Sequence, residues 1–129
     1  MATFLLDTSV IIDVLNNKKS RPALLRGLLQ EGHLLACCPI NIGEVYAGLR
    51  PGEEERTAQF VESLEYLSIT RDIARRAGLI KRDFSRQGST FSLAHALVAA
   101  VAIDAGCTLI TDNVKDFPSS ELRLHRLYR

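Results

Sequence analysis

Six polar residues in this 129-residue chain are of the types that hold metal ions or move protons, and each stands at the edge of an apolar segment. Asp7 follows the run Phe4, Leu5, Leu6; Glu44 lies within INIGEVYAGL; His95 lies near the start of FSLAHALVAAVAIDAG; Asp112, Asn113 and Asp116 follow the run that ends at Thr111. Taken singly, each has a bland explanation. Asp7 suits a helix N-cap, Asn41 with Glu44 fits an N-x-x-E capping pattern, and Asp112 or Asn113 suits a turn. Capping does not require acids to recur on the same side of successive strand–helix units. Carboxylates gathered in one place repel one another, and a divalent cation bound through oxygen relieves that repulsion.

The elements that must position these residues follow from periodicity and punctuation. Residues 4–6 form a short strand that delivers Asp7 at its carboxyl end, and Thr8, Ser9 and residues 10–15 turn into a helix. After the polar turn 16–20, Pro22 suits a first helical turn, and Leu24, Leu25, Leu28 and Leu29 recur at helical spacing. A second strand is expected over 33–38, a helix from about Asn41 to Gly48 with Glu44 in its first turn, a helix over 53–64 and a strand over 66–69. In the helix expected over 70–85, Ile73, Ala77, Ile80 and Phe84 share one face, whereas Arg71, Arg75, Arg82 and Arg86 form a basic stripe opposite. Ser92 then caps a helix that is apolar on almost every side, Gly106 closes it, and residues 108–111 form a strand. Leu122, Leu124 and Leu127 fit a final edge strand.

Strands alternating with helices predict an α/β fold: one domain over 1–129, with a mostly parallel central sheet of four to five strands and helices on both faces. In such sheets ligands bind beyond the carboxyl ends of the strands, which is where the six polar residues fall. An apolar fraction of 47% is sufficient for a core, and 16 basic residues nearly cancel 15 acidic ones, so net charge does not single out a partner. Cys37, Cys38 and Cys107 match neither a disulfide framework nor a C-x-x-C zinc pattern and read as buried hydrophobes. No apolar run approaches the roughly 20 residues that span a bilayer and no cleavable leader is evident, so a soluble cytoplasmic protein without membrane contact is expected. A dinucleotide-binding reading fails because no G-x-G-x-x-G follows the first strand.

LLDTSVIIDVL, INIGEVYAGL and FSLAHALVAAVAIDAGCTLITDNVKDF resemble, in this order and at these spacings, the three blocks of PIN domains, in particular the VapC-type toxin ribonucleases of toxin–antitoxin pairs. The resemblance implies a PIN-like fold and a metal-dependent endoribonuclease that uses Mg²⁺ or Mn²⁺ on an RNA substrate. It further implies inhibition by a cognate VapB-like antitoxin and a homodimer. Residue by residue, Asp7 and Glu44 match the first two metal-binding acids, Asn113 the fourth acidic position with Asp112 beside it, and Asp116 the acid of a frequent D-F pair. Thr8 and Thr111 match hydroxyl residues that line the pocket. A catalytic set of Asp7, Glu44, His95, Asp112 and Asp116, and a metal set of Asp7, Glu44, His95, Asn113 and Asp116, are thereby expected. The apolar residues of the helices around 42–49 and 53–64 offer a groove for an antitoxin helix, and the Arg71, Arg75, Arg82 and Arg86 stripe offers contacts to RNA phosphates.

One position departs from the family pattern. Where PIN domains have A-D-A, this chain has Ala94-His95-Ala96. Three readings stand open: His95 ligates a metal through nitrogen and moves the preference toward Mn²⁺; the lost charge, natural or engineered, disables the metal site; or His95 fills space beneath a site that works from the other acids. The alternative function is accordingly a catalytically inactive PIN-like module that binds antitoxin or RNA.

Overall fold

The computed structural model describes residues 1–127; Tyr128 and Arg129 lie outside the described residues. Apolar residues alternate along each central strand, and the two sets bury against different helices. Phe4 and Leu6 of β1 (Thr3–Leu6), Leu35 and Cys37 of β2 (Leu34–Cys37) and Ile110 of β4 (Thr108–Thr111) share one cluster with Val10, Ile11, Leu25, Leu28, Val45 and Val61. These partners come from α1 (Thr8–Leu15), α2 (Arg21–Gln30), α3 (Pro39–Ala47) and α4 (Glu54–Glu62). Leu5, Ala36 and Leu109 point the other way, into a cluster with Ile73 and Ala77 of α5 (Arg71–Arg86) and the buried alanines and valines of α6 (Leu93–Ala105). This period of two is what a sheet covered on both faces requires.

The sheet has five strands in the order β3-β2-β1-β4-β5, all parallel, with β3 (Glu65–Tyr66) and β5 (Arg123–Arg126) at its edges. From β1 the chain runs outward through β2 to β3, then returns through α5 and α6 to β4 on the other side of β1. The carboxyl ends of β1 and β4 therefore flank the point where the winding reverses. That crevice is where open parallel sheets bind ligands.

Boundaries agree closely where caps are explicit: the Ser92 hydroxyl accepts the His95 amide at 3.0 Å, Gly106 closes α6 at φ +67°, and β4 occupies 108–111 as expected. Two expectations are corrected. The strand expected over 66–69 is confined to Glu65–Tyr66, both exposed at the sheet edge, where no second face demands apolar alternation. Helix α1 starts at Thr8, capped directly by Asp7 as expected. Helix α3 starts at Pro39, so Glu44 lies in its second turn, and Asn41 rather than Glu44 accepts the Cys38 amide, at 3.0 Å. Proline at the first helical position is preorganised for that start. Among the described residues no helix is long and apolar enough to cross a membrane.

Candidate active site

Asp7 ends β1 and caps α1 at the winding reversal, and it is only 5% exposed. Its Oδ1 accepts the Thr8 amide at 2.9 Å and its Oδ2 accepts the Thr111 hydroxyl at 2.7 Å, while its own amide donates to the Ile110 carbonyl at 2.9 Å. Thr111 thus ties the ends of β1 and β4 together across the crevice. Burial raises the Asp7 carboxyl above its ordinary value; the bonds from Thr111 and Thr8 and the charge that His95 can carry lower it, and the charge of Glu44 raises it.

Glu44 approaches from α3. The Thr8 hydroxyl donates to Glu44 Oε1 at 2.6 Å and accepts from Asn41 Nδ2 at 3.2 Å. Thr8 therefore connects both acids, its amide to one and its hydroxyl to the other. Asn41 is fully buried, and its side chain spends its oxygen on the Cys38 amide and its nitrogen on Thr8, so the start of α3 and the position of Glu44 are set together. Sequence reasoning placed Asn41 only as a cap; the signal for more was the Cys-Pro-x-Asn spacing, which puts Asn41 on the third helical residue after a proline start. Glu44 itself is exposed.

His95 is the third residue of α6, half-buried, with its ring edge-on to Phe117 at 5.0 Å between centroids. A charge on its ring would lower the Asp7 carboxyl just as Glu44 raises it, so Asp7, Glu44 and His95 share one electrostatic neighbourhood. Thr8 and Thr111 join them as hydrogen-bonding hydroxyls. Asn113 donates its amide to Thr111 Oγ1 at 3.0 Å and is exposed, and Asp116 ends the short 3-10 turn Val114–Asp116. Among the described residues, neither side chain is hydrogen-bonded to Asp7 or Glu44.

Asp112 is turned elsewhere. Its carboxylate accepts the Ser9 hydroxyl at 3.1 Å and faces Lys19 Nζ at 3.4 Å and Arg21 Nη2 at 3.5 Å. Burial works against its ionisation, but Ser9, Lys19 and Arg21 outweigh it and hold the carboxyl below its ordinary value. In this structure Asp112 is paired with two cations and holds the turn after β4 to the start of α1. Cys38, buried near both acids, is not a nucleophile: burial raises its thiol, and Cys37 is pushed up to about 11.

The donor set fits a hard divalent cation in one respect and falls short in another. Two carboxylates joined through Thr8, one of them buried at a raised value, form a site that a cation would relieve. Among the described residues, however, no three His, Cys, Asp or Glu side chains close around a common point. Such a site suits an ion that keeps several of its waters.

The PIN domain family model matches residues 4–118. The chain belongs to the PIN-domain family. Ribonuclease VapC19 of Mycobacterium tuberculosis is 30% identical over 114 residues, covering 88% of this chain and 91% of that protein. Ribonuclease VapC10 of the same organism is 30% identical over 117 residues, covering 91% and 87%. These likenesses place the chain in the VapC branch of the family. The crystal structure of VapBC2 from Rickettsia felis, bound to a DNA fragment from its promoter, superposes with a TM-score of 0.84 at 21% identity over 98% of this chain and 99% of that one. That last likeness is one of PIN fold, which agrees with the all-parallel sheet described above.

Proposed function

We propose that this PIN domain is the ribonuclease toxin of a VapBC-type pair, hydrolysing RNA phosphodiester bonds with a divalent cation, Mn²⁺ in preference to Mg²⁺. The observation that carries this reading is the Asp7–Thr8–Glu44 arrangement at the winding reversal, with His95 beside it. A cation held by Asp7 and Glu44 would activate water and offset charge on the phosphoryl oxygens. The imidazole of His95 is the feature that favours Mn²⁺, the softer of the two ions. Asp7, fixed through both oxygens, supplies a rigid negative anchor. Glu44, exposed and held through Oε1 alone, is the residue placed to take a proton from water. Asn113 and Asp116 lie on the adjoining turn, where they border the substrate's path.

A defined RNA is expected to be cut in Mn²⁺, to be spared when a chelator is added, and to be cut again once Mn²⁺ is restored; cleavage that persists in chelator would overturn the metal-dependent reading. A second reading is favoured by the open ligand set and by His95: a domain that binds RNA or antitoxin without cutting. It predicts intact RNA in every metal tested.

The antitoxin part of the proposal rests on the VapC likeness; between α1, α3 and α4 the surface offers only a shallow cleft of about 60 Å³, bordered by Ile12, Leu15, Val45 and Leu49 with Arg50, Glu53 and Arg56 at its rim. A homodimer completes the reading.

The α5 stripe is exposed along its length, and Arg82 and Arg86 lie at its carboxyl end, which leads toward the start of α6. That end is fixed by Phe84 edge-on to Phe91 at 5.4 Å and by Lys81 Nζ donating to the Phe91 carbonyl at 3.0 Å, just ahead of the Ser92 cap. Arg82 also pairs with Asp83 at 3.1 Å. If the stripe follows an RNA backbone, R82Q/R86Q should flatten the plot of log affinity against log salt by about 0.7 per lost phosphate contact. An unchanged slope for a single-stranded RNA in metal-free buffer would leave α5 as a solvated face.

A further inference from the structure

Beside the site lies a second cluster of charges that the reaction does not use. Arg21, 2% exposed, sits between Asp13 and Asp112: its Nη2 is 3.5 Å from Asp112 Oδ2 and its Nε 3.9 Å from Asp13 Oδ2. Lys19 lies 3.6 Å from Asp13 and 3.4 Å from Asp112. Arg21 Nη1 donates to the Lys19 carbonyl at 3.4 Å, but Arg21 Nε, Arg21 Nη2 and Asp13 Oδ2 are buried without a hydrogen bond, so Arg21 attracts the two carboxylates across gaps too long for bonding. The turn that brings Lys19 and Arg21 there is costly in itself, because Asn17, Lys19 and Ser20 all adopt left-handed backbone, at φ 52°, 56° and 57°. Such conformations persist where surrounding contacts over-determine them, and they gather at functional sites.

What these contacts hold is the turn between Thr111 and Asn113. Asp112 is flanked by Thr111, whose hydroxyl fixes Asp7 Oδ2, and by Asn113, whose amide fixes that same hydroxyl. Its other oxygen takes the hydroxyl of Ser9, next to the Thr8 that serves Asp7 Oδ1 and Glu44. Asp112 thus joins the start of α1, the turn after β4 and the α1–α2 turn at one carboxylate. We infer that Arg21 is a positioning residue for the site: through Asp112 it fixes the Thr111–Asn113 turn and hence the orientation of the Asp7 carboxylate. The inference rests on the ribonuclease reading only for its consequence in catalysis; the geometric coupling stands without it.

Removing one charge alone leaves its partner buried and unpaired, which destabilises the fold by itself. The test therefore pairs D112N with the double variant R21M/D112N, in which no lone charge remains between these two positions. The first measurement is hydrogen exchange in metal-free buffer. The expected result is a double variant that melts close to the parent while its Asn113 and Thr8 amides exchange faster; parental exchange at both amides overturns the inference, whether or not the chain cuts RNA. The second measurement is Mn²⁺ affinity, expected to fall by roughly 10- to 100-fold in both variants, the scale for losing a group that orients a metal ligand. Recovery of metal affinity together with melting temperature in the double variant would mark Arg21 as merely structural and overturn the inference. A parent protein that binds no Mn²⁺, combined with altered exchange in the variants, would sink the metal-dependent reading and leave the positioning role standing.

Discussion

Replacing Asp7 with Asn is expected to lower Mn²⁺-dependent RNA cleavage by at least ~100-fold, the scale of losing one placed acid–base or charge-holding group, without lowering thermal stability. The two halves of this expectation have one cause. Asp7 is a buried carboxylate whose proton affinity is raised chiefly by burial, against the opposing bonds from Thr111 and Thr8. The sign for stability follows from linkage. A folded value above the unfolded one means that the native state binds more protons, so ionised Asp7 costs stability above its folded value and ceases to do so below the unfolded value of 3.8. At neutral pH the cost is present, and Asn removes it while retaining an oxygen for the Thr8 amide and turning its nitrogen into a donor to Thr111 Oγ1, where Asp7 Oδ2 accepted. The amide is a weaker ligand for a hard cation and carries no charge to attract one. Melting curves and single-turnover cleavage on the same preparation check both halves. A variant that loses activity and also melts far below the parent would show that Asp7 is above all a helix cap.

The neighbouring charges explain how much of this was legible in the sequence. Asp7, Thr8, Glu44 and Thr111 are joined by hydrogen bonds, because each sits within a few residues of a strand end or helix start whose capping chemistry is local. The apolar run from Leu93 to Ala105 could only be a buried helix, and Ser92 and Gly106 marked its ends. The alternation in β1, β2 and β4 likewise emerged as two buried faces. What escaped was long-range and polar. Nothing in the periodicity around Arg21 announces an ion pair with a residue beyond β4, and Asp112 was read as part of the catalytic set from its place beside Asn113 in sequence. Asn41 was misassigned for a related reason: an N-x-x-E pattern is satisfied on paper by Asn41 and Glu44, whereas Pro39 had already begun the helix. Short patterns specify which atoms could bond, and packing decides which do.

The largest gain of function expected is in H95D. Position 95 is the third residue of a 13-residue helix, where the amide dipoles favour an anion by about 0.3–1 kcal/mol. An acid there therefore meets a favourable helix end but an unfavourable neighbour, since Asp7 and Glu44 already press negative charge on one another. Without metal the balance tips against the variant: a third carboxylate beside a buried one raises the repulsion, and the edge-on contact with Phe117 is lost. With metal the sign reverses, because a dication is attracted by each added charge. H95D is accordingly expected to melt below the parent in chelator and to gain more from Mg²⁺ than the parent gains. RNA cleavage in Mg²⁺ should rise at least ~10-fold, equivalent to about 1.4 kcal/mol in the barrier. If His95 ligates through nitrogen, the parent prefers Mn²⁺ and the variant loses that preference; if the missing charge disables the site, the parent is silent in both metals and the variant is active in both. Equal cleavage by the two proteins in both metals would mean that His95 only fills space, and that Asp7 and Glu44 suffice.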